Sequence, residues 1–200
     1  MALDDDRFRA YHEAVASRPP RATLLRALAA FDAERRIGFA VDLGAGEGRD
    51  AVALLQRGWR VLAIDTDALA LARLRSRRDV PAGARLVTLH GSFVDATWPS
   101  ADLVNASFAL PLCPPERFPE LWARLRASLR PGGRFAGQLY GKRDSWAERP
   151  GVTVHTRDAA RALLADWTIE MFDEEETDAV TPRGEAKHWH IFHIVAWKPG

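Results

Sequence analysis

The segment Val41-Asp42-Leu43-Gly44-Ala45-Gly46-Glu47-Gly48-Arg49 restricts the possible folds more than any other stretch of the chain. Phe39 to Leu43 are apolar apart from one acid and suit a short strand buried on both faces of a parallel sheet. They run directly into three alternating glycines and then a helical pattern. Strand, glycine turn and helix in that order bring backbone close to a nucleotide at the carboxyl end of a sheet. A dinucleotide fingerprint starting at Gly44 would need glycine at position 49, where Arg49 stands. Without a Gly-Lys-Ser/Thr ending, a phosphate-cradling loop is excluded as well.

The rest of the chain extends this unit. Helical spacing covers 3–17 and 21–36, and strands are expected at 39–43, 60–64, 85–89, 102–107 and 134–139. Helices fall between them at 49–57, 67–77 and 115–129. This alternation implies right-handed βαβ crossovers in a doubly wound α/β sheet. Beyond a helix at 157–165, strands at 168–173 and 189–197 flank a polar connection, Glu174 to Lys187, and should pair as an antiparallel hairpin. The expectation is a Rossmann-like, mostly parallel seven-stranded sheet with a reversed last strand. It forms a single domain over 1–200, with an N-terminal helical lid (1–37) on a catalytic core (38–200).

Composition sets limits on partners. The 200 residues carry 28 basic and 27 acidic side chains for a formal charge of +1, so no chain-wide field attracts nucleic acid or anionic lipid. No apolar run approaches the roughly 20 residues that span a bilayer, and the acidic start, Asp4-Asp5-Asp6, is unlike an export signal. A cytoplasmic location is expected, as a monomer or homodimer. One cysteine, Cys113, excludes an internal disulfide framework and a cysteine-rich metal site.

A second acid joins the glycine loop. The strand Val61-Leu62-Ala63-Ile64 ends at Asp65, about 20 residues beyond the loop, where a carboxylate can accept both hydroxyl protons of a ribose. With this acid and the loop, the sequence resembles the class I S-adenosylmethionine-dependent methyltransferases over roughly 39–139. The resemblance implies S-adenosylmethionine as cofactor. It places Asp42, Gly44, Ala45, Gly46 and Gly48 against its methionine and ribose portions, and Asp65, with Thr66 beside it, at the ribose diol. Many members put an acid directly after the glycine that ends strand three. Here Gly91 is followed by Ser92 and Phe93, which are expected at the adenine edge and face. The resemblance places Asn105-Ala106-Ser107-Phe108, at the end of strand four, along the methyl-transfer pocket. More narrowly, the stretches 43–50, 108–114 and 187–193 resemble the tellurite-resistance-type small-molecule methyltransferases, which implies a small-molecule acceptor.

Tyr11 and Arg21 precede the core sheet, where this family builds a lid. They are expected to give an aromatic face and a guanidinium to the cofactor. Asn105, Phe108, Trp146 and His190 are the candidates for positioning the acceptor. Methyl transfer from a sulfonium is an in-line displacement, so no catalytic acid is required. Rival readings are a non-catalytic module that only binds the cofactor, and a nicotinamide-dinucleotide oxidoreductase, which Arg49 opposes. No metal is expected: strand alternation puts His188 and His190 on one face and His193 on the other. Cys113 is expected to line the pocket, and Asp173 to Glu176 with Asp178 to form a solvated hairpin tip.

Overall fold

The computed structural model describes residues 19–181 and 184–200. The expected helix over 3–17, and with it Tyr11, lies outside the described residues. In chain order the elements are α1 (Ala22–Ala33), β1 (Phe39–Leu43), α2 (Arg49–Gln56), β2 (Arg60–Asp65), α3 (Ala68–Ser76), β3 (Leu86–His90) and β4 (Ala101–Ala106). A 3-10 turn (Leu110–Leu112), α4 (Phe118–Ser128), β5 (Leu129–Gly141), β6 (Val154–His155), α5 (Arg157–Ala162), β7 (Thr168–Val180) and β8 (Ala186–Trp197) follow.

The main sheet runs β3-β2-β1-β4-β5-β8-β7, with β1 to β5 mutually parallel and β8 reversed between β5 and β7. The order changes direction between β1 and β4, the position at which open α/β sheets form a ligand crevice beyond their carboxyl ends. An eighth strand was not anticipated. β6 has only two residues and pairs with Tyr140 and Gly141, alongside the part of β5 that extends past β4.

Alternation along the strands builds two apolar layers. Val41, Leu43, Val104, Phe135 and Phe192 face α4 and α5, whereas Ala40, Ala63, Leu103, Ala136 and Val195 face α1, α2 and α3. On the second face, Leu24, Ala27, Leu28 and Phe31 of α1 are almost wholly buried, and Phe31 meets Trp59 edge-on at 4.9 Å. Burying side chains of this size contributes about 1.5–3 kcal/mol for each Leu or Phe. The far end of α1 is fixed by Arg134, which lies over Phe31 and donates to Glu34 and bidentately to Glu170 at 2.8 and 2.9 Å.

Three expectations are corrected by local pairing. The stretch 130–133, which separates the expected helix at 115–129 from the expected strand at 134–139, is a bulge within β5, where pairing jumps from Ala101–Leu129 to Leu103–Arg134. The polar connection expected at 174–187 is mostly strand, because β7 and β8 pair in register from Thr168–Trp197 to Val180–Ala186. The acidic run is therefore not a hairpin tip but part of a cross-strand charge ladder. Glu174 lies 2.8 Å from His190 and 2.6 Å from Arg157, Glu175 lies 2.8 Å from His193, and Asp178 lies 2.8 Å from His188.

Candidate cofactor site

A polar row interrupts the apolar layer beneath the carboxyl ends of the central strands. Asp42 on β1, Asn105 on β4 and Gln138 on β5 share the face of Ala40, Leu103 and Ala136, and all three are buried. Asn105 pairs in register with Asp42, and its Nδ2 donates to Asp42 Oδ1 at 2.8 Å and to Asp50 Oδ2 at 3.1 Å. Asp50, in the first turn of α2, also accepts from Ser107 Oγ at 2.5 Å and from the Arg21 backbone N–H at 2.9 Å. Asp42 Oδ2 is buried with no hydrogen-bond partner among the described residues. Burial, and next the charge of Asp50, push the Asp42 carboxyl up to about 8.

The glycine loop closes the site from the side of β2. Gly44 and Ala45 donate to the Ile64 carbonyl, Gly46 N–H donates to Asp65 Oδ2 at 2.7 Å, and Asp67 N–H donates to Asp65 Oδ1 at 2.8 Å. Each Asp65 oxygen thus accepts one backbone N–H and keeps capacity for a further donor. Gly46 and Gly48 both have left-handed φ, +53° and +78°, for different reasons. A Cβ on Gly48 would drive into the Leu74 side chain, whereas one on Gly46 would meet no heavy atom within 4 Å. The loop faces a cleft of about 330 Å³ whose lining includes Arg21, Asp42, Gly46, Asp65, Ser107 and Phe108.

Phe108 joins this cleft to an aromatic wall. Its φ of +57° is unusual for a bulky side chain. Its N–H donates to Gln138 Oε1 at 2.9 Å, and Gln138 Nε2 donates to Thr23 Oγ1 at 3.0 Å, which ties the strained residue to α1. The Arg21 guanidinium lies over the Phe108 ring, 4.3 Å from its centre, while Tyr140 and Trp189 approach Phe108 at 6.4 and 6.0 Å. Tyr140, Trp146 and Trp189 surround the Lys187 ammonium at 4.8, 4.4 and 4.2 Å. That ammonium pairs with buried Asp144, which also accepts the backbone N–H groups of Trp146 and His190.

Residues 40–133, the half of the sheet that builds this cleft, match the sequence profile of the methyltransferase domain family. This part of the chain is a methyltransferase domain on a Rossmann-like fold. Among solved structures similar to it is TehB from Haemophilus influenzae, with a TM-score of 0.71 at 15% identity over 86% of this chain and 61% of that one. Another is the 1,6-didemethyltoxoflavin-N1-methyltransferase of Burkholderia thailandensis, solved with 1,6-didemethyltoxoflavin and S-adenosylhomocysteine. It gives a TM-score of 0.65 at 24% identity over 99% of this chain and 88% of that one. A curated relative, Hemagglutinin 1 of Eikenella corrodens, is 25% identical over 169 residues, 80% of this chain and 54% of that protein. The chain therefore spans about half the length of the curated relative it matches.

Within the methyltransferase domain, the residues present fit the cofactor that the family implies. The open side of Gly46 gives room for a ligand against backbone, Asp65 has acceptor capacity left, and Asp42 presents a bare buried oxygen to a cation. Arg21, Asp42, Gly44, Ala45, Gly46, Asp65 and Phe108 are brought together around the cleft. Asn105 stands behind them and holds both Asp42 and Asp50. Gly48 supports the loop from the side of α3. The Thr66 carbonyl lies 3.0 Å from His90 Nε2. Ser92 uses its hydroxyl to accept from Val94 N–H, and the Phe93 ring packs on the core beside Gly44, so neither belongs to the cleft lining.

On the acceptor side, Trp146 joins the aromatic wall but His190 does not. Strand alternation turns the His190 ring to the opposite face from Trp189, toward Glu174 and Arg143. Cys113 is fully buried in the core, not a lining residue, and burial pushes its thiol up to about 11. The sequence reading assigned no role to Gln138 or Asp144, placed Ser107 only within a pocket-lining stretch, and named Asp50 and Lys187 only inside stretches that carry the family resemblance. For Asp50 the only sequence signal was an acid in the first turn of a helix, which the helix dipole explains equally well.

Proposed function

We propose that this methyltransferase domain moves the methyl group of S-adenosylmethionine to a compact small-molecule acceptor held between Phe108 and the Tyr140–Trp146–Trp189 wall. The observation that carries the reading is Phe108, whose ring borders both the glycine-loop cleft and that wall. The bound cofactor supplies an activated methyl on a sulfonium, with a neutral leaving group.

The work of the chain is then to bind and orient. Asp65 and the open side of Gly46 hold the nucleoside, Asp42 meets a cationic group, and Phe108 with the aromatic wall keeps the acceptor in a dry place behind the methyl. Burial, and then Asp144, push the Tyr140 phenol far above its usual range, so this hydroxyl keeps its proton and acts as a wall and not as a base. Acceptors that already present a lone pair, such as a thiolate, a free amine or a chalcogen oxyanion, fit a site that works by positioning. The name of one similar protein supports this reading: the Burkholderia thailandensis 1,6-didemethyltoxoflavin-N1-methyltransferase was solved with 1,6-didemethyltoxoflavin bound.

On this reading, residues 1–200 act as one domain, and Arg21, just before α1, reaches the cleft. No helix among the described residues is long and apolar enough to cross a membrane. The test is methyl transfer from labelled S-adenosylmethionine to panels of small thiols, amines, hydroxylated aromatics and chalcogen oxyanions, beside purified protein and RNA. Labelling of a small acceptor supports the proposal. Labelling of a polymer with every small acceptor inert overturns it, and cofactor binding without any transfer would favour a non-catalytic module.

A further inference from the structure

The cluster beneath the cleft has more acids than donors. Asp42 and Asp50 share the single Asn105 amide, Asp50 takes Ser107 Oγ and Arg21 N–H as well, and Asp42 Oδ2 is buried with no well-formed hydrogen bond among the described residues, the nearby Ala51 N–H and Asn105 being all that favour its charge. Two carboxylates bridged by one neutral amide, with Asp65 nearby at the end of β2, are a poor place for a full negative charge on each acid. We propose that Asp42 carries a proton in the free protein and gives it up when the cofactor enters, so that cofactor binding is an exchange of one cation for another.

The step balances simply. The Asp42 O–H bond breaks, the proton leaves to solvent, and the carboxylate pairs with a cationic group of the ligand, so the charge inside the cluster is unchanged. The raised position of Asp42 agrees with this. The charged groups around it come from each neighbouring element: Asp50 and Arg49 from α2, Asp65 from the end of β2, Glu47 from the glycine loop, Asp67 and Arg77 from either end of α3, and Arg21 from the segment before α1. Of these, Asp50 and Asp65 favour the proton on Asp42. The inference rests on the cofactor reading above and adds a pH dependence to it.

Titration calorimetry with S-adenosylhomocysteine tests the exchange without any methyl acceptor. At pH 6.5 the α-amino group of the ligand lies below its own titration range of about 7.7–8.0 and stays charged, so its proton does not confuse the count. Repeating the titration in buffers of different ionisation enthalpy should show about one proton released per ligand bound. Affinity should rise about tenfold for each pH unit between 5.5 and 6.5. Asp42→Asn, which keeps the shape of the protonated acid, should bind more weakly, release no proton and lose the pH slope. Saturating wild-type binding with no proton released and a flat pH profile overturns the exchange while leaving the cofactor reading intact. A complete lack of binding overturns that reading and the exchange with it.

Discussion

Replacing Gly46 and Gly48 separately by alanine should split ligand binding from folding. Both glycines have left-handed φ, so each alanine costs about 1–2 kcal/mol of backbone strain. The surroundings differ. A Cβ on Gly46 enters open space on a residue lining the cleft, so Gly46→Ala should lose only that strain, a fall in Tm of about 2–6 °C for a domain of this size. Its methyl occupies the place of a ligand, and affinity for S-adenosylhomocysteine should drop at least about tenfold, or roughly 1.4 kcal/mol. At Gly48 the added carbon strikes Leu74, which is fully buried and cannot retreat, adding an overpacking cost of about 1–3 kcal/mol. Gly48→Ala should lower Tm by roughly 5–15 °C, with affinity measured well below the transition close to wild type. Paired calorimetric titration and thermal denaturation decide the matter. If Gly46→Ala binds like wild type, the ligand does not lie over the glycine loop and the placement is refuted.

Asp65→Ala should weaken S-adenosylhomocysteine binding by about 1.5–3 kcal/mol by calorimetry, since it removes an acceptor for the ligand and unhooks Gly46 N–H from the carboxylate. Lys187→Met leaves the Asp144 carboxylate buried without its ammonium and should cost about 3–5 kcal/mol in urea denaturation; adding Asp144→Asn should recover part of the loss. His155, whose ring lies tilted against Phe118 at 4.7 Å, is pushed down to about 4 chiefly by burial. Its folded value lies below the unfolded 6.5, so the unfolded chain gains the proton first as pH falls. Stability should drop between pH 6.5 and 4 by at most about 3 kcal/mol, and His155→Phe should flatten that part of the curve.

The parts of the site readable from sequence are those where backbone geometry and local order carry the signal. The glycine loop and Asp65 follow their strands directly, so periodicity alone places them at one sheet edge. Asp50, Ser107 and Gln138 take their meaning from partners far along the chain: Asn105 bridges Asp42 and Asp50 across 63 and 55 residues, and Gln138 reaches Thr23 across 115. No local pattern distinguishes them from ordinary polar residues at element ends. The acidic run misled for the opposite reason. Low strand propensity predicts a turn from Glu174 onward, yet β8 places histidines opposite and diagonal to the acids of β7, and Arg157 from α5 and Arg143 from the loop after β5 pair with Glu174 and Glu176, so the strands extend. His190 was assigned to the right strand and the wrong face, since its immediate neighbour Trp189 is the residue that meets Phe108.

The position of Phe108 has a consequence for how such an enzyme could change its acceptor. Its ring belongs to the cofactor cleft on one side and to the aromatic wall on the other, and its backbone conformation is held by Gln138 and, through it, by α1. Any substitution there alters both halves of the site at once. Tyr140, Trp146 and Trp189 are absent from the cleft lining, and their other contact is with the Lys187 ammonium. On the proposed function, a mutagenesis library seeking a new acceptor would vary the faces of those three rings that point away from Lys187 and leave Phe108 in place, as the hinge pin between the reagent and its target.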